Sequence, residues 1–420
     1  MKSVVNIFMS VLLFLFVFSC KNNDPVSPQN STQITFSPAS VLVGDTLTIS
    51  GKNFNVDKSK DTVKIGNISA TVINASATEL KLIVPLSASS GKLTFNNYTP
   101  PSTDLIVNHI YVSGSEYNNS GINVIKYWKD TTAHFLTDGI STASSSSIVV
   151  SGNKVYVSGS QNNSSSSAVA KYWTNDKSEV ILDANDYSYS NSMYISGTDL
   201  YNAGTIYTTN YVAAYWKNQT MVKLTDGTYY GNAASIVVSG NDIYVCGFEK
   251  NSGNISVAKY WKNGNAMNLS DGVISATANS IFISGSDVYV GGYQYNGSDG
   301  KAVATIWKNG VPTKLSDGLH NAYVKNIIIV GSDIYAIGLQ YTDSFISIAT
   351  LWKNGVEIKL GDGVNNSSAS SVAVWGKNIY VVGNEKKNST FYAKMWKNGA
   401  DFYLPKGINS SDATSIMIAP

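Results

Sequence analysis

Tryptophan recurs at an almost constant interval through most of this chain. Successive members of the series lie 45, 43, 45, 46, 45 and 44 residues apart. The series consists of Trp128, Trp173, Trp216, Trp261, Trp307, Trp352 and Trp396. A period of this length in short β-rich runs is typical of a repeat array, in which each unit buries its apolar face against the next. The interval therefore restricts the fold to architectures built from a repeated all-β unit.

One repeat can be divided into four strands by its turn residues. The unit around Trp261 predicts strands at Ser235–Ser239, Asp242–Gly247, Ser256–Lys262 and Ala266–Leu269. Four short antiparallel strands in a repeat of about 45 residues are the pattern of a β-propeller blade. The seven tryptophans therefore predict a seven-bladed β-propeller over residues 108–420.

The segment Trp261-Lys262-Asn263-Gly264 is either part of a reactive site or a turn. Asn-Gly between two β runs is a strong hairpin signal, because both residues accept a positive φ. The pair returns as Asn309-Gly310, Asn354-Gly355 and Asn398-Gly399. We predict a structural segment, with the tryptophan packed between neighbouring blades.

The two ends of the repeat region predict how the ring closes. Blade one begins directly at His109 and lacks a full first strand, whereas the chain ends in an isolated first-strand sequence, Ser415–Ile418. The C-terminus is expected to supply the missing strand, which would remove exposed sheet edges. In the alternative, Leu105–Val107 supplies that strand and the last segment is spare.

The repeat unit is similar to kelch-type propellers. It has a Tyr-Val-x-Gly strand and an aromatic pair near a turn, but only Gly291-Gly292 reproduces the kelch double glycine. The other blades carry a single glycine, such as Gly159, Gly204, Gly247, Gly338 and Gly383. The resemblance implies the propeller architecture and no particular function.

Residues 32–107 precede the repeats and resemble the IPT/TIG immunoglobulin-like domain. The matching positions are Pro38, Gly44, Gly51-Lys52-Asn53-Phe54, Ile65-Gly66, Val84-Pro85 and Gly91. Short β runs separated by Gly, Asn and Pro agree with a small sandwich. The resemblance implies a spacer or interaction module without catalytic residues.

The N-terminus resembles that of bacterial lipoproteins. An apolar run, Val4–Phe18, is too short to span a bilayer and ends at a lipobox-like Val17-Phe18-Ser19-Cys20. The resemblance implies a signal peptide over residues 1–19, cleavage before Cys20, and a lipid on its thiol. Residues 20–31 would be a flexible tether. The alternative is an ordinary secretory signal with an incidental cysteine.

These features predict a protein tethered to the cell envelope by lipid. Lys21 follows the cysteine, and the start Lys21-Asn22-Asn23-Asp24 weakly resembles the acidic export tags of Bacteroidetes surface lipoproteins. The outer membrane is the expected location. The leaflet that holds the anchor stays open.

Composition excludes several classes of partner. The formal net charge is +2 and the chain contains no arginine, which argues against nucleic acid and against bidentate grip on carboxylate or phosphate. The chain has 26 tyrosines against 3 histidines, a balance that favours stacking and hydrogen bonding over acid–base chemistry. We expect a monomer with no cofactor.

Few residues suggest metal or nucleophilic chemistry. His109, His134 and His320 are expected in different blades and lack the spacing of a zinc site. Cys246 aligns with small or apolar residues of the other blades, so it is expected to be a packed residue. No catalytic residue and no metal ligand is predicted.

An aspartate precedes glycine at the end of most blades. These positions are Asp138, Asp226, Asp271, Asp317 and Asp362. They form either a ring of metal or sugar ligands or a set of Asx turns, in which the carboxylate accepts backbone N–H groups. The turn is the favoured interpretation.

The loops predict two unlike propeller faces. First–second and third–fourth turns, here short and regular, lie on one face, and the longer second–third and fourth–first loops lie on the other. The longer loops are rich in Tyr, Asn, Ser and Gly, as antibody binding loops are. Candidate binding residues are Tyr117, Tyr187, Tyr189, Tyr207, Tyr211, Tyr229, Tyr230, Tyr293, Tyr295, Tyr323 and Tyr341.

The sequence therefore predicts an all-β protein, a small immunoglobulin-like sandwich followed by a seven-bladed propeller closed by the C-terminal strand. The leading functional hypothesis is a lipid-anchored binding protein whose loop face contacts glycan or protein. One alternative is a polysaccharide-acting hydrolase or lyase with carboxylates at the propeller cavity, for which the scattered loop acids are Asp186, Glu249, Asp299 and Asp343. A second alternative is a structural or adhesive surface protein.

Overall fold

The fold was analysed in a computed structural model, which describes residues 34–96, 104–184, 187–297, 299–402, 404–405 and 409–420. All regular secondary structure in these ranges is β-strand, and no helix in them is long and apolar enough to cross a membrane. The predicted signal peptide, the tether and Cys20 lie outside the described residues, as does Asp186.

The N-terminal domain is a small sandwich whose strands alternate buried and exposed residues. Its strands are β1 (Thr35–Ser37), β2 (Ser40–Leu42), β3 (Thr46–Ser50), β4 (Val63–Ile65), β5 (Ile68–Ala75), β6 (Glu79–Ile83) and β7 (Leu93–Phe95). Six of them follow the order β1-β3-β6-β5-β4-β7. Alternation in β3 turns Leu47 and Ile49 inward against Leu80 and Leu82 of β6. This core is separate from that of the repeats.

The remaining strands form four-stranded antiparallel sheets. In chain order they are β8 (Ile106–Tyr117), β9 (Asn123–Lys129), β10 (Thr132–Phe135), β11 (Ala143–Ser151), β12 (Lys154–Asn162), β13 (Ala168–Thr174), β14 (Glu179–Ile181), β15 (Tyr189–Ser196), β16 (Asp199–Tyr207), β17 (Tyr211–Lys217), β18 (Thr220–Lys223), β19 (Gly231–Ser239), β20 (Asp242–Lys250), β21 (Ser256–Lys262), β22 (Asn265–Asn268), β23 (Ala276–Ser284), β24 (Asp287–Tyr295), β25 (Ala302–Lys308), β26 (Val311–Lys314), β27 (Ala322–Val330), β28 (Asp333–Tyr341), β29 (Ser347–Lys353), β30 (Val356–Lys359), β31 (Ser367–Trp375), β32 (Asn378–Lys387), β33 (Thr390–Lys397), β34 (Ala400–Phe402) and β35 (Ser411–Ala419). Blades two to seven are the successive groups of four from β11 to β34.

Blade one combines the two ends of the repeat region. Strand β35 pairs antiparallel with β8, with Ile416 opposite Val112 and Ser411 opposite Glu116, and β9 and β10 complete the sheet. The predicted closure by the C-terminus is confirmed. The alternative is wrong, because Ile106 and Val107 pair with β2 of the sandwich instead.

Strand β8 also joins the two domains. Its first residues pair in parallel with β2, and the Asn108 side chain donates to Ser40 Oγ at 2.8 Å and to the Val41 carbonyl at 3.0 Å. Leu42 packs into the propeller cluster that contains Trp128. The start of β8 lies on the face of the short turns, so the sandwich contacts this turn face and leaves the loop face open.

Each tryptophan of the series packs against the preceding blade. Trp261 of blade four is 1% exposed and lies in one cluster with Tyr201, Ala213 and Tyr215 of blade three. The other six occupy equivalent clusters around the ring. The predicted packing between blades is confirmed, and it explains the period with which the sequence began.

The Asn-Gly pairs form the third–fourth turns. Asn263 has φ of 50° and Gly264 has φ of 83°. The Asn263 side chain also accepts from the Ile243 N–H at 2.8 Å and donates to Asp242 Oδ1 at 2.8 Å, which fixes the hairpin to the first–second turn. The segment is therefore structural, as predicted.

The recurrent blade glycine faces a β-bulge in the first strand. In blade four the bulge lies between Ala233 and Ser235, opposite Gly247. A Cβ on Gly247 would lie 1.9 Å from the Asn232 carbonyl oxygen. Equivalent close approaches occur at Gly114, Gly159, Gly204, Gly292, Gly338 and Gly383. The glycine is required by backbone proximity rather than by a ligand.

We predict that Gly247→Ala lowers the free energy of unfolding by about 2–3 kcal/mol, because strand or bulge must move to admit the methyl group. Thermal and denaturant unfolding measure the change. Gly91→Ala is the matched control, since its Cβ would meet nothing closer than 3.7 Å. Equal stabilities for the two variants would contradict this role of the bulge.

Candidate binding face

One group of candidate tyrosines forms a continuous aromatic row over blades three and four. Ring centroids are 6.0 Å apart for Tyr187 and Tyr207, 5.2 Å for Tyr207 and Tyr211, and 5.2 Å for Tyr211 and Tyr230. These three pairs meet edge to face, a favourable arrangement of aromatic quadrupoles. Phe248 extends the row, with its centroid 5.4 Å from that of Tyr230. We call these five residues the first aromatic row.

Tyr189 lies beside the first aromatic row. Burial raises the pKa of its phenol, and the neighbouring Tyr211, Tyr187 and Tyr230 contribute to the same shift. Burial likewise raises the pKa of Tyr230. Hydroxyl groups with raised pKa values stay protonated at neutral pH, so they can both donate and accept hydrogen bonds.

A second aromatic row lies over blades five and six. Tyr293 is 5.6 Å from Tyr295 and 4.8 Å from Tyr323 between ring centroids, again edge to face. Burial raises the pKa of Tyr323 to about 12, with contributions from Tyr295, Tyr293 and Tyr341. Tyr341 is connected to the same strand by its backbone, since its N–H donates to the Asn321 carbonyl at 2.9 Å, two residues before Tyr323.

The structure does not bring every candidate tyrosine into the rows. Tyr117 and Tyr229 are exposed, and neither has an aromatic ring contact within the described part of the chain. Tyr229 instead lines a cavity of about 500 Å³ on blade four. Phe248 was missed by sequence reasoning, which ended the second strand of that blade at Gly247, whereas β20 continues to Lys250.

The aspartates before glycine form Asx turns, as favoured. Asp271 Oδ1 accepts from the Val273 N–H at 3.0 Å, and Asp226 Oδ1 accepts from the Thr228 N–H at 2.8 Å. The same bond is made by Asp138, Asp317 and Asp362. These N–H donors hold the pKa of Asp226 below its usual value. In the described ranges, no group of three His, Cys, Asp or Glu residues is placed to hold a metal ion.

Each loop acid has a local partner. Glu249 Oε2 is 2.5 Å from Lys259 Nζ, Asp343 Oδ1 is 2.7 Å from His320 Nε2, and Asp299 Oδ1 accepts from the Lys301 N–H at 3.3 Å. The three acids belong to blades four, six and five. These contacts favour local structural roles for the three carboxylates rather than a shared catalytic pair.

The innermost strands hold a carboxylate that sequence reasoning missed. Asp412 of β35 accepts from the Ser115 N–H at 2.8 Å, and burial raises the pKa of its carboxyl. Its charged neighbours are Lys325 and Lys126. The sequence did contain a signal for it, because Asp412 is charged whereas the equivalent first-strand residues of other blades are not. Those residues include Ser144, Asn232 and Ser368.

The histidine prediction needs a correction. His109 and His134 both lie in blade one, on β8 and β10, because that blade starts without its own first strand. His109 Nδ1 lies 2.7 Å from Asp130 Oδ2, and the His134 ring stacks on Tyr127 at 4.7 Å. Cys246 is fully buried and burial raises the pKa of its thiol, which agrees with a packed residue.

A family model matches the N-terminal part of the chain. Residues 31–109 match the IPT/TIG domain model, so the N-terminal domain is of this type. No curated protein sequence matches the chain.

The solved structures that match this chain include a peptidase, a protease domain and a nutrient binding protein, each with a TM-score below 0.5. A puromycin-hydrolysing peptidase of Mycobacterium tuberculosis shares 9% identity over 70% of this chain and 51% of its own, with a TM-score of 0.49. The propeller domain of the Trilobed protease of Pyrococcus furiosus shares 10% identity over 70% of this chain and 93% of its own, with a TM-score of 0.45. An auxiliary nutrient binding protein of Bacteroides ovatus shares 14% identity over 93% of this chain and 94% of its own, with a TM-score of 0.29. No functional residue is carried over from them.

We predict that Asp271→Ala lowers the free energy of unfolding by about 0.5–1 kcal/mol through loss of its turn bond. Asp271→Asn should retain most of that stability, since the amide oxygen also accepts. Unfolding curves with calcium and with a chelator complete the measurement, and they are expected to coincide. A calcium-dependent rise in melting temperature that Asp271→Asn abolishes would favour the ligand interpretation.

Proposed function

We propose that this protein is a lipid-anchored binding protein of the cell envelope whose propeller loop face holds glycan. The observation that carries the proposal is the pair of aromatic rows on one face. Tyr187 and Tyr207 are exposed in the first row, and Tyr293 and Tyr295 are partly exposed in the second. The glycan-binding experiment also distinguishes three alternatives for this face. They are a protein partner, catalysis on polysaccharide and a purely adhesive role.

The chemistry of the rows suits sugar rings. Tyrosine offers a flat apolar surface for the C–H groups of a pyranose and a hydroxyl for its polar edge. Rows fixed by edge-to-face contacts lose little conformational entropy when a ligand stacks on them, which favours affinity. Two rows spread over blades three to six would suit an extended chain better than a single small molecule.

The placement of the sandwich supports the same proposal. It contacts the turn face through β2 and the start of β8. A lipid at Cys20 would therefore be attached on the side of the sandwich, and the loop face would stay free of the domain contact. Anchoring in the outer membrane remains part of the proposal, resting on the lipobox resemblance.

We predict that residues 21–420 bind at least one glycan of a broad polysaccharide panel saturably and leave it intact. Tyr207→Ala/Tyr211→Ala and Tyr293→Ala/Tyr295→Ala should each raise the dissociation constant about tenfold, because each removes two stacking side chains. Binding isotherms and product analysis measure this.

Tyr156→Ala/Tyr172→Ala is the matched control, since these rings pair at 6.2 Å at the turn-face end of blade two. It should bind normally. Shortened glycan would replace the proposal with the enzyme alternative. No binding to any glycan would refute the glycan version, and crosslinking on intact cells would then separate a protein ligand from an adhesive role.

We predict that the full-length chain incorporates labelled fatty acid and stays with membranes, whereas Cys20→Ala is unlabelled and released. Acyl chains stabilise membrane attachment by about 0.8 kcal/mol per buried CH₂. Cys246→Ala should remain labelled, because that thiol is buried in blade four. An unlabelled native chain would remove the anchor from the proposal and leave the glycan test unaffected.

A further inference from the structure

One position on the second and third strands has the same chemistry in three blades. In each of these blades, the second residue after the blade glycine lies on the second strand. Its side chain contacts a third-strand residue, the one that pairs with the glycine in the strand register. In blade four these are Glu249 and Lys259, 2.5 Å apart, and in blade seven Glu385 and Lys394, 2.8 Å apart. Blade one contains the equivalent pair, Glu116 and Lys126. In these blades an ion pair occupies the position and satisfies both side chains.

Blade six, like blade five, has glutamine and threonine at this position, and in blade six these residues are Gln340 and Thr350. Thr350 lies opposite Gly338 in the strand register, as Lys259 lies opposite Gly247. The Thr350 hydroxyl donates to the Ile348 carbonyl at 2.9 Å and so does not bond to the glutamine. Gln340 Oε1 is buried and has no hydrogen-bond partner within the described part of the chain. Leaving a buried acceptor unpaired is unfavourable, so the Gln340 amide would gain a hydrogen bond by turning toward a ligand hydroxyl in the cavity.

The same substitution accompanies a cavity of about 350 Å³, near the small end of the range for ligand sites. Gln340, Tyr341 and Thr350 line it from the strands, and His320 lines it from the preceding loop. The 2.7 Å contact between His320 and Asp343 ties that loop to the second–third loop at the mouth. The cavity is thus bounded by three strands, β28 to β30, and by two mutually bonded loops.

The lining favours a neutral polyhydroxylated ligand. Asp317, Asp343 and Glu357 supply carboxylate acceptors, against the ammonium group of Lys359 and the imidazole of His320. The His320 hydrogen bond and charge hold the pKa of Asp343 below its usual value, so this carboxylate stays ionised. Acceptors in excess match sugar hydroxyls and disfavour a sugar that carries its own carboxylate.

We infer that the blade-six cavity is a subsite for one neutral sugar residue, with the Gln340 side chain turning into the cavity so that its amide oxygen accepts a ligand hydroxyl. The inference rests on the proposed function and deepens it. Tyr341 lines this cavity, and its N–H donates to the Asn321 carbonyl at 2.9 Å, two residues before Tyr323 of the second aromatic row. A glycan lying on that row would place a terminal or branching residue in the cavity.

The test rebuilds in blade six the ion pair of blades four and seven. Gln340→Glu/Thr350→Lys replaces the unpaired amide with an ion pair that the same fold accepts in other blades, so the double variant should melt as the native chain does. For neutral glucans and mannans that bind residues 21–420, the dissociation constant should rise at least about tenfold. Gln340→Met, which keeps the side-chain length and removes the acceptor, should also weaken binding even if the double variant fails to fold.

The matched control is Gln294→Glu/Thr305→Lys in blade five. In blade five, Thr305 lies opposite Gly292 on one side and Lys314 on the other. Thr350 of blade six lies between Gly338 and Lys359 in the same way. The two double variants therefore make the same change of charge in equivalent surroundings. This control should bind neutral glycan normally. Normal binding by both blade-six variants, with loss in the tyrosine variants, would overturn the subsite and leave the proposed function standing. Tighter binding of polygalacturonate than of neutral glycans would also overturn it.

Discussion

The antiparallel pairing of β35 with β8 is the interaction on which the rest of the structure depends. Strand β8 takes β35 on one side, β9 on the other and β2 at its start. The closure buries Ile416 and Val112 in one cluster with Trp128 and with Val382 of blade seven. Without it, blade one would lack its innermost strand and the ring would expose a sheet edge. Loop positions on all blades are thus fixed by residues at opposite ends of the repeat region.

Unequal constraint on the two faces explains why function is assigned to one of them. On the turn face each hairpin needs a residue that accepts positive φ, and the Asn263 side chain adds two bonds to the neighbouring turn. A similar arrangement recurs at Asn309, Asn354 and Asn398. Geometry therefore fixes the sequence there. On the loop face the repeated requirement is limited to the Asx turns before glycine, so the tyrosines and the blade-six cavity can differ from blade to blade.

The period and the turn chemistry were sufficient to predict the architecture, because both are local in sequence. The Trp interval, the Asn-Gly turns and the Asx turns at Asp226 and Asp271 are confirmed for this reason. Distances between blades are not local, so the sequence did not separate Tyr229 from the rows or add Phe248 to them. Blade six has Gln340 and Thr350 at the positions where blade four has Glu and Lys. This difference is visible only when strand register is used to align the blades.

The aromatic rows and the cavity differ in how they obtain specificity. Edge-to-face tyrosines present apolar surface that accepts many sugar rings, so they favour affinity over discrimination. A buried acceptor such as Gln340 Oε1 discriminates, because a ligand without the matching hydroxyl leaves it unpaired. Blade four retains its ion pair beside a larger cavity, and its polar groups are already satisfied. What separates blade six from the other blades is therefore an unpaired buried acceptor at a position that holds an ion pair in blades one, four and seven, and this acceptor can discriminate between ligands.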